Sequence, residues 1–422
     1  MNSPISSARR MRRALISAGF LIPAGLGLNF TLNLLLARIL PVEEYGIFVF
    51  AHSLASMVAV LAALGFATSM MRFISAYHIN GELGELKGIL SSSLQLICLS
   101  AALISFILIS ISAAIPEISS GLFWSAAILI PTTIDAWRES AMRGLHRTAE
   151  AILPRQVILP SVTMLLIIAF DIGELIPIML CFVICFIIIE LAGVVRLRAI
   201  THFLMPIAPI RRVKHWVSIS LPMAFATLAH QGLTKWDIVV LGVFVGMDAT
   251  GPYGAAARTA LLASIVLRVV NLVVGPALSE YYHSGRFREF KSALVISSAA
   301  SGALGLPIYI AILVYPSEVM SLFGVGYDNA GPYLQVLASG QFVNLLSGSA
   351  GLALTMSKHQ KLYLLLAGLA SILSLVALMM LTPLYGAFGA AVATSLALVV
   401  FNVAQVLACV KLFWIDDGPH AV

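Results

Sequence analysis

Twelve apolar runs, separated by short polar turns, restrict what this chain can fold into. They fall at 14–38, 46–71, 89–115, 121–143, 152–170, 176–196, 217–245, 252–277, 292–315, 331–355, 361–381 and 387–411. A helix needs about 20 apolar residues to cross the hydrocarbon core of a bilayer. In that solvent only structures that satisfy every backbone group internally can span. The runs therefore predict an all-α polytopic membrane protein with about twelve transmembrane helices. Composition agrees: 60% of the 422 residues are hydrophobic and 10% charged, against about 25% charged in soluble domains. This balance excludes a soluble enzyme, a nucleic-acid-binding domain and a disordered chain.

The cations set the orientation. With the N-terminus placed inside, the inner segments hold Arg9, Arg10, Arg12, Arg13, Arg72, Lys87, Arg143, Arg147, Arg155, Arg196, Arg198, Arg211, Arg212, Lys214, Arg286, Arg288, Lys291, Lys358, Lys361 and Lys411, which is 20 of the 25 lysines and arginines. The outer loops hold none and carry acids instead: Glu43, Glu44, Glu117, Asp171, Glu174, Asp248, Glu318 and Asp328. Such an asymmetry places both termini in the cytoplasm. One missed helix would reverse it downstream, so it supports the span count too. The net charge of +6 is chiefly a topology signal. The first run continues to about Leu36, too long for a signal peptide's apolar region, and reads as an uncleaved first span. Cys181 and Cys185 are four residues apart, but no His, Asp or Glu joins them, so no metal site is expected. No cofactor is expected either.

The expected organisation is a basic cytoplasmic N-terminus (1–13), a six-helix bundle (14–198), a cytoplasmic interfacial linker (199–216), a second six-helix bundle (217–413) and a cytoplasmic tail (414–422). The linker mixes Phe203, Leu204, Met205 and Ile207 with Arg211, Arg212 and Lys214, a composition suited to a membrane surface. The bundles look related. Tyr77, Gly81, Glu85 and Lys87 follow span two; Tyr281, Gly285, Glu289 and Lys291 follow span eight at the same offsets. An even number of spans per half makes this a parallel repeat, and the bundles pseudo-symmetric.

Catalytic signatures are absent: there is no Gly-x-Ser-x-Gly elbow, phosphate-binding Gly-Lys-Ser/Thr loop, metal-binding His pair or dinucleotide glycine fingerprint. What remains is a set of charges within the spans, where charge is costly and faces a bundle interior or an aqueous cavity. Lys235, Arg258, Arg138, Arg268 and Arg38 are the cationic candidates, because an anionic head group needs cationic partners. Asp237, Asp135 and Glu139 are the acids, as ion-pair partners or as coupling groups. Each has a plainer reading. Asp237 and Arg258 lie at similar distances from the turn near Asp248, so a structural ion pair competes with ligand contact. Asp135, Arg138 and Glu139 share a helix face and can neutralise one another. Arg268 can snorkel to the inner surface, Arg38 can anchor span one, and Glu190 can face Arg196 or lipid head groups. Lys235 sits on a different face from Asp237. Asn29, Asn33, His230 and Gln231 read as interhelical hydrogen bonders, and Pro23, Pro222 and Pro307 as sites of kinking.

Several stretches carry a family resemblance: Ala37-Arg-Ile-Leu-Pro-Val-Glu-Glu-Tyr-Gly-Ile-Phe48, Asp237-Ile-Val-Val-Leu-Gly242, Tyr253-Gly-Ala-Ala-Ala-Arg258, Leu322-Phe-Gly-Val-Gly-Tyr327 and Pro383-Leu-Tyr-Gly-Ala-Phe-Gly-Ala-Ala391. In order and spacing the chain resembles the polysaccharide-lipid flippases of the multidrug/oligosaccharidyl-lipid/polysaccharide exporter superfamily. The resemblance implies two six-helix bundles around a central cavity, working by alternating access. It also implies a cargo of undecaprenyl-pyrophosphate-linked oligosaccharide, moved from the inner to the outer leaflet of the bacterial cytoplasmic membrane for cell-surface polysaccharide biosynthesis. Partners would be the lipid-linked glycan and membrane lipids, with room for a coupling proton or sodium ion and for other polysaccharide assembly proteins. Fold alone does not fix cargo. The competing readings are a cation-coupled multidrug or metabolite antiporter of the same superfamily and, from another class, a membrane enzyme of glycan assembly.

Overall fold

The computed structural model describes residues 4–415, with side chains from Leu21 onward. The side chains of Arg9 to Arg13 and residues 416–422 of the expected tail lie outside what is described. Among the described residues every regular element is helical. The chain divides into two compact units, residues 1–228 and 229–422.

The first unit holds α1 (Pro4–Ile39), α2 (Val42–Ala62), α3 (Phe66–Asn80), α4 (Leu83–Ala114), α5 (Ser119–Gly144), α6 (Thr148–Leu153), α7 (Leu159–Ala169), α8 (Leu175–Ile200) and most of α9 (Val213–Gly232). A π-helical turn at Pro154–Ile158 joins α6 to α7. α5 packs against α2, α3, α4 and α8. Small buried residues along it, among them Ser125, Ala126, Thr133, Ala141 and Gly144, let neighbouring backbones approach closely. Trp137 of α5 is buried and donates to Ser93 Oγ of α4 at 2.8 Å. The linker after α8 packs onto α3 and α4. The Ile210 N–H donates to Gly84 O at 2.9 Å, and Lys87 Nζ donates to Met205 O and Ile207 O at 2.8 and 2.7 Å. Trp216 is buried and donates to Tyr77 Oη at 2.9 Å. Gly88 makes this fit possible, because a Cβ there would overlap the backbone of Ile210.

The second unit holds the end of α9, α10 (Trp236–Phe244), α11 (Met247–Leu262), α12 (Ser264–His283), α13 (Phe287–Val314), α14 (Pro316–Ser321), α15 (Gly331–Ser347), α16 (Ala350–Met356) and α17 (Gln360–Val410). α15 is central, against α11, α13 and α17. Tyr309 of α13 stacks on Phe342 of α15 with centroids 4.4 Å apart. Ser395 Oγ of α17 donates to Val336 O at 2.9 Å, across the close approach that Gly340 allows.

Among the described residues, nine helical runs are long and apolar enough to cross a membrane. The longest is two spans, because Gly386 breaks α17 with φ 58° and ψ −138°, a conformation closed to other residues. α9–α10 and α15–α16 are two more spans, interrupted at 233–235 and 348–349. Twelve spans result. Pro23, Pro222 and Pro307 lie within α1, α9 and α13.

The two units repeat one another in backbone detail. Gly81 and Gly285 both take positive φ, 74° and 71°. The same capping bond precedes each helix restart, Glu82 N–H to Tyr77 O and Arg286 N–H to Tyr281 O, both 2.9 Å. Between the fourth and fifth span of each unit stands a non-glycine residue at positive φ, His146 (60°) and Lys358 (66°). Between the fifth and sixth stand Asp171 (49°) and Gly386 (58°).

Candidate functional site

The second unit carries a half-open cavity of about 390 Å³, with polar side chains set in an apolar lining. Its walls come from the chain breaks: the end of α9, the α11–α12 junction, the 348–349 interruption and both halves of α17. Glycine makes room for it, since a Cβ at Gly351 would collide with Gln405. Among the described residues, Arg268 is the one lysine or arginine that lines the cavity, and no Asp or Glu lines it. Five amides do: Asn271, Gln341, Asn344, Asn402 and Gln405. Asn271 Oδ1 accepts from Ser349 Oγ at 2.6 Å, which turns its NH₂ to donation. Asn402 Nδ2 donates to Leu398 O at 2.8 Å and Gln405 Nε2 to Phe401 O at 3.4 Å, so both present carbonyl oxygens. Tyr363 Oη and His230 Nδ1 meet at 3.5 Å on the same wall. The lining thus offers an arginine for an anion, neutral donors and acceptors for hydroxyl groups, and, among the described residues, no carboxylate.

The first unit carries a closed ion network. Arg138 of α5 is fully buried. Its Nε donates to Glu190 Oε2 of α8 at 2.7 Å. Its Nη2 donates to Asp135 Oδ1 at 2.7 Å and Glu190 Oε1 at 3.2 Å. Its Nη1 donates to Glu150 O and Ala151 O at 3.2 and 3.3 Å. All five guanidinium donors are used. Arg155, in the π-helical turn, completes the set through Nη1 to Asp135 Oδ2 at 2.9 Å. Two carboxylates therefore face two guanidinium groups. Gly193 of α8 leaves the space that Arg138 fills, for a Cβ there would stand 2.5 Å from Arg138 Cδ.

The remaining sequence candidates are spread out. Glu139 turns away from Arg138 and pairs with Arg143. Glu190 meets Arg138 rather than Arg196, which pairs with Glu150 at 2.9 Å. Asp237, buried at the start of α10, takes hydrogen bonds from Tyr253 Oη at 2.7 Å and the Ile238 N–H at 2.8 Å. Lys235 is half-buried beside α10, with Nζ 3.4 Å from Gln231 Oε1. Arg258 is half-buried on α11, one turn before cavity-lining Leu261. Neither is among the lining residues of the cavity. Arg38 is exposed in the last turn of α1. Asn29 and Asn33 do bond between elements: Asn29 Nδ2 reaches Gln156 O at 3.4 Å, and Tyr45 Oη donates to Asn33 Oδ1 at 3.4 Å. Sequence reasoning missed Gly193, Arg155's role and the amide lining. The amides had a visible signal, Gln341/Asn344 and Asn402/Gln405, each pair three residues apart inside an apolar run.

A family model described as polysaccharide biosynthesis protein matches residues 16–282, more than half of the chain. The chain is similar to a "probable low-salt glycan biosynthesis flippase" of Haloferax volcanii, 25% identical over 168 residues, 40% of this chain and 36% of that protein. It is also similar to a "probable flippase" of the same organism, 23% identical over 178 residues, 42% of this chain and 37% of that one. The chain thus matches over little more than a third of the length of these curated relatives. Among solved structures, an inward-facing multidrug resistance transporter of the MATE family, in the MOP superfamily, superposes with a TM-score of 0.73 at 13% identity, over 94% of this chain and 96% of that one. The lipid II flippase MurJ superposes at 0.72 with 17% identity, over 95% and 88%. These likenesses establish the fold. The chain is a multi-pass membrane protein with the fold of MOP superfamily transporters, and it belongs to the polysaccharide biosynthesis protein family.

Proposed function

We propose that this protein is a secondary transporter that flips a lipid-linked oligosaccharide, carried on undecaprenyl pyrophosphate, from the inner to the outer leaflet of the bacterial cytoplasmic membrane by alternating access. Both termini lie in the cytoplasm, and the work serves cell-surface polysaccharide assembly. The observation that carries this reading is the acid-free, amide-lined cavity with Arg268 inside a membrane-spanning unit. Sugar hydroxyls both donate and accept, which suits the amides. The pyrophosphate suits an arginine. Lys235 and Arg258, close in sequence to cavity-lining Thr234 and Leu261, supply further positive charge for its capture. Arg138 has no donor left to give and serves as a brace. The proposal invokes no catalytic residue and no bond making.

The test is complementation of a deletion strain. Arg268→Ala lowers surface glycan at least about tenfold at normal membrane levels, the loss expected when charge-assisted hydrogen bonds go. Asn402→Leu together with Gln405→Leu does likewise. Full export by both variants would overturn the assignment of the cavity.

One observation favours the antiporter reading as a second. Asp237 is a buried carboxyl with a hydroxyl partner at 2.7 Å, and buried acids in spans mark proton relays. Drug resistance on overexpression, without a glycan phenotype on deletion, would support it.

A further inference from the structure

The repeat extends to a pair of surface grooves. In the first unit a groove of about 520 Å³ runs between the start of α4 and the end of α8. In the second a groove of about 430 Å³ runs between the start of α13 and the end of α17. Seven lining residues of each correspond in position. Leu90, Ser91, Leu94 and Gln95 line the first; Leu294, Val295, Ser298 and Ala299 line the second, at the constant offset of 204 that also relates Gly81 to Gly285. Val194, Leu197 and Arg198 on the other wall correspond to Val406, Cys409 and Val410 at an offset of 212. The shape is therefore built twice and the charge once. Arg198 stands where the second groove has Val410.

Both grooves are mostly apolar and lie at the ends of spans, where lipid is the neighbouring medium. Apolar surface there attracts any acyl chain, so selectivity must come from charge. In the first groove Arg198 is exposed, and among the described residues its guanidinium makes no ion pair or hydrogen bond; its carbonyl accepts from Thr201 Oγ1 at 3.4 Å. Lys87 adds a second cation and is fixed in place by the carbonyls of Met205 and Ile207. No acid lines this groove among the described residues. In the second groove the corresponding Lys291 is not a lining residue and lies over the Trp414 ring, 5.7 Å from its centroid.

We propose that the first groove is a binding site for one anionic phospholipid, its acyl chain along α4 and α8 and its phosphate on Arg198 beside Lys87. Basic pockets between spans at a basic membrane face bind anionic head groups in this way. The second groove takes an acyl chain without regard to head-group charge. The site shares no residue with the cavity of the second unit.

The experiment is native mass spectrometry of the purified full-length protein with phosphatidylglycerol or phosphatidylcholine added at equal concentration. Wild type binds its first phosphatidylglycerol about fivefold more tightly than phosphatidylcholine, the effect of one favourable cation near a membrane surface. Arg198→Ala and Arg198→Gln abolish that preference. Lys291→Ala preserves it, and Leu94→Trp, which fills the groove, removes the preferred lipid. Equal binding of the two lipids by wild type, or a preference that survives Arg198→Ala, would overturn the proposal.

Discussion

Replacing Arg138 by methionine tests whether this arginine braces the fold or binds cargo. The change keeps an apolar stem of similar length and removes five donors. Asp135 keeps Arg155 at 2.9 Å. Glu190 loses both of its guanidinium contacts, at 2.7 and 3.2 Å, in a fully buried position. The carbonyls of Glu150 and Ala151 lose their donors as well. Breaking a buried pair by removing one partner costs about 3–5 kcal/mol, because a charge is left uncompensated. For a unit of this size that lowers the melting midpoint by on the order of 10 °C. Removing both partners is different. Arg138→Met combined with Glu190→Leu leaves no orphaned charge, and apolar replacement of buried pairs is often neutral. The double variant should melt within about 1 kcal/mol of wild type. The assay is thermal unfolding of purified protein in detergent, read by tryptophan fluorescence, alongside surface glycan in cells. If Arg138→Met melts like wild type yet exports no glycan, the argument from its saturated donors is refuted and Arg138 is a cargo ligand.

Two further substitutions probe fits that glycine permits. Gly193→Ala pushes a methyl group against Arg138 Cδ and should cost about 1–3 kcal/mol, as overpacking does; it should lower the same melting midpoint, and an unchanged midpoint would mean that Arg138 is not confined there. Gly88→Ala forces Ile210 off α4. It should speed tryptic cleavage after Arg211 and Arg212 severalfold, while the transmembrane core stays intact.

The twelve spans were legible because the bilayer imposes length and hydropathy on each of them directly. The repeat was legible at Tyr77, Gly81, Glu85 and Lys87, where side chains match. Its continuation at His146/Lys358 and Asp171/Gly386 was not, because those positions have only a positive φ in common and no residue type. The breaks at 348–349 and 386 were not singled out from sequence; each holds a glycine at positive φ. The site shows the same limit. Helical spacing put Asp135 beside Arg138 correctly, since both lie on one helix. It could not bring Glu190 from α8 onto the same guanidinium, 52 positions away. Nor could it show that Asp237 would take a hydrogen bond from Tyr253 of α11, 16 positions away. The cavity was overlooked because its chemistry is mainly uncharged: attention to cations picked out Arg268 and passed over the amides around it.

The central claim is movement of a lipid-linked glycan, and its most direct test is reconstitution. Purified protein is placed in sealed vesicles that carry a labelled undecaprenyl-pyrophosphate oligosaccharide, and a membrane-impermeant lectin or hydrolase reports which leaflet holds the glycan. We predict that the wild-type protein moves the label between leaflets far faster than protein-free vesicles do, and that Arg268→Ala returns the rate to that background. Vesicles with folded wild-type protein that move the glycan no faster than empty ones would contradict the account.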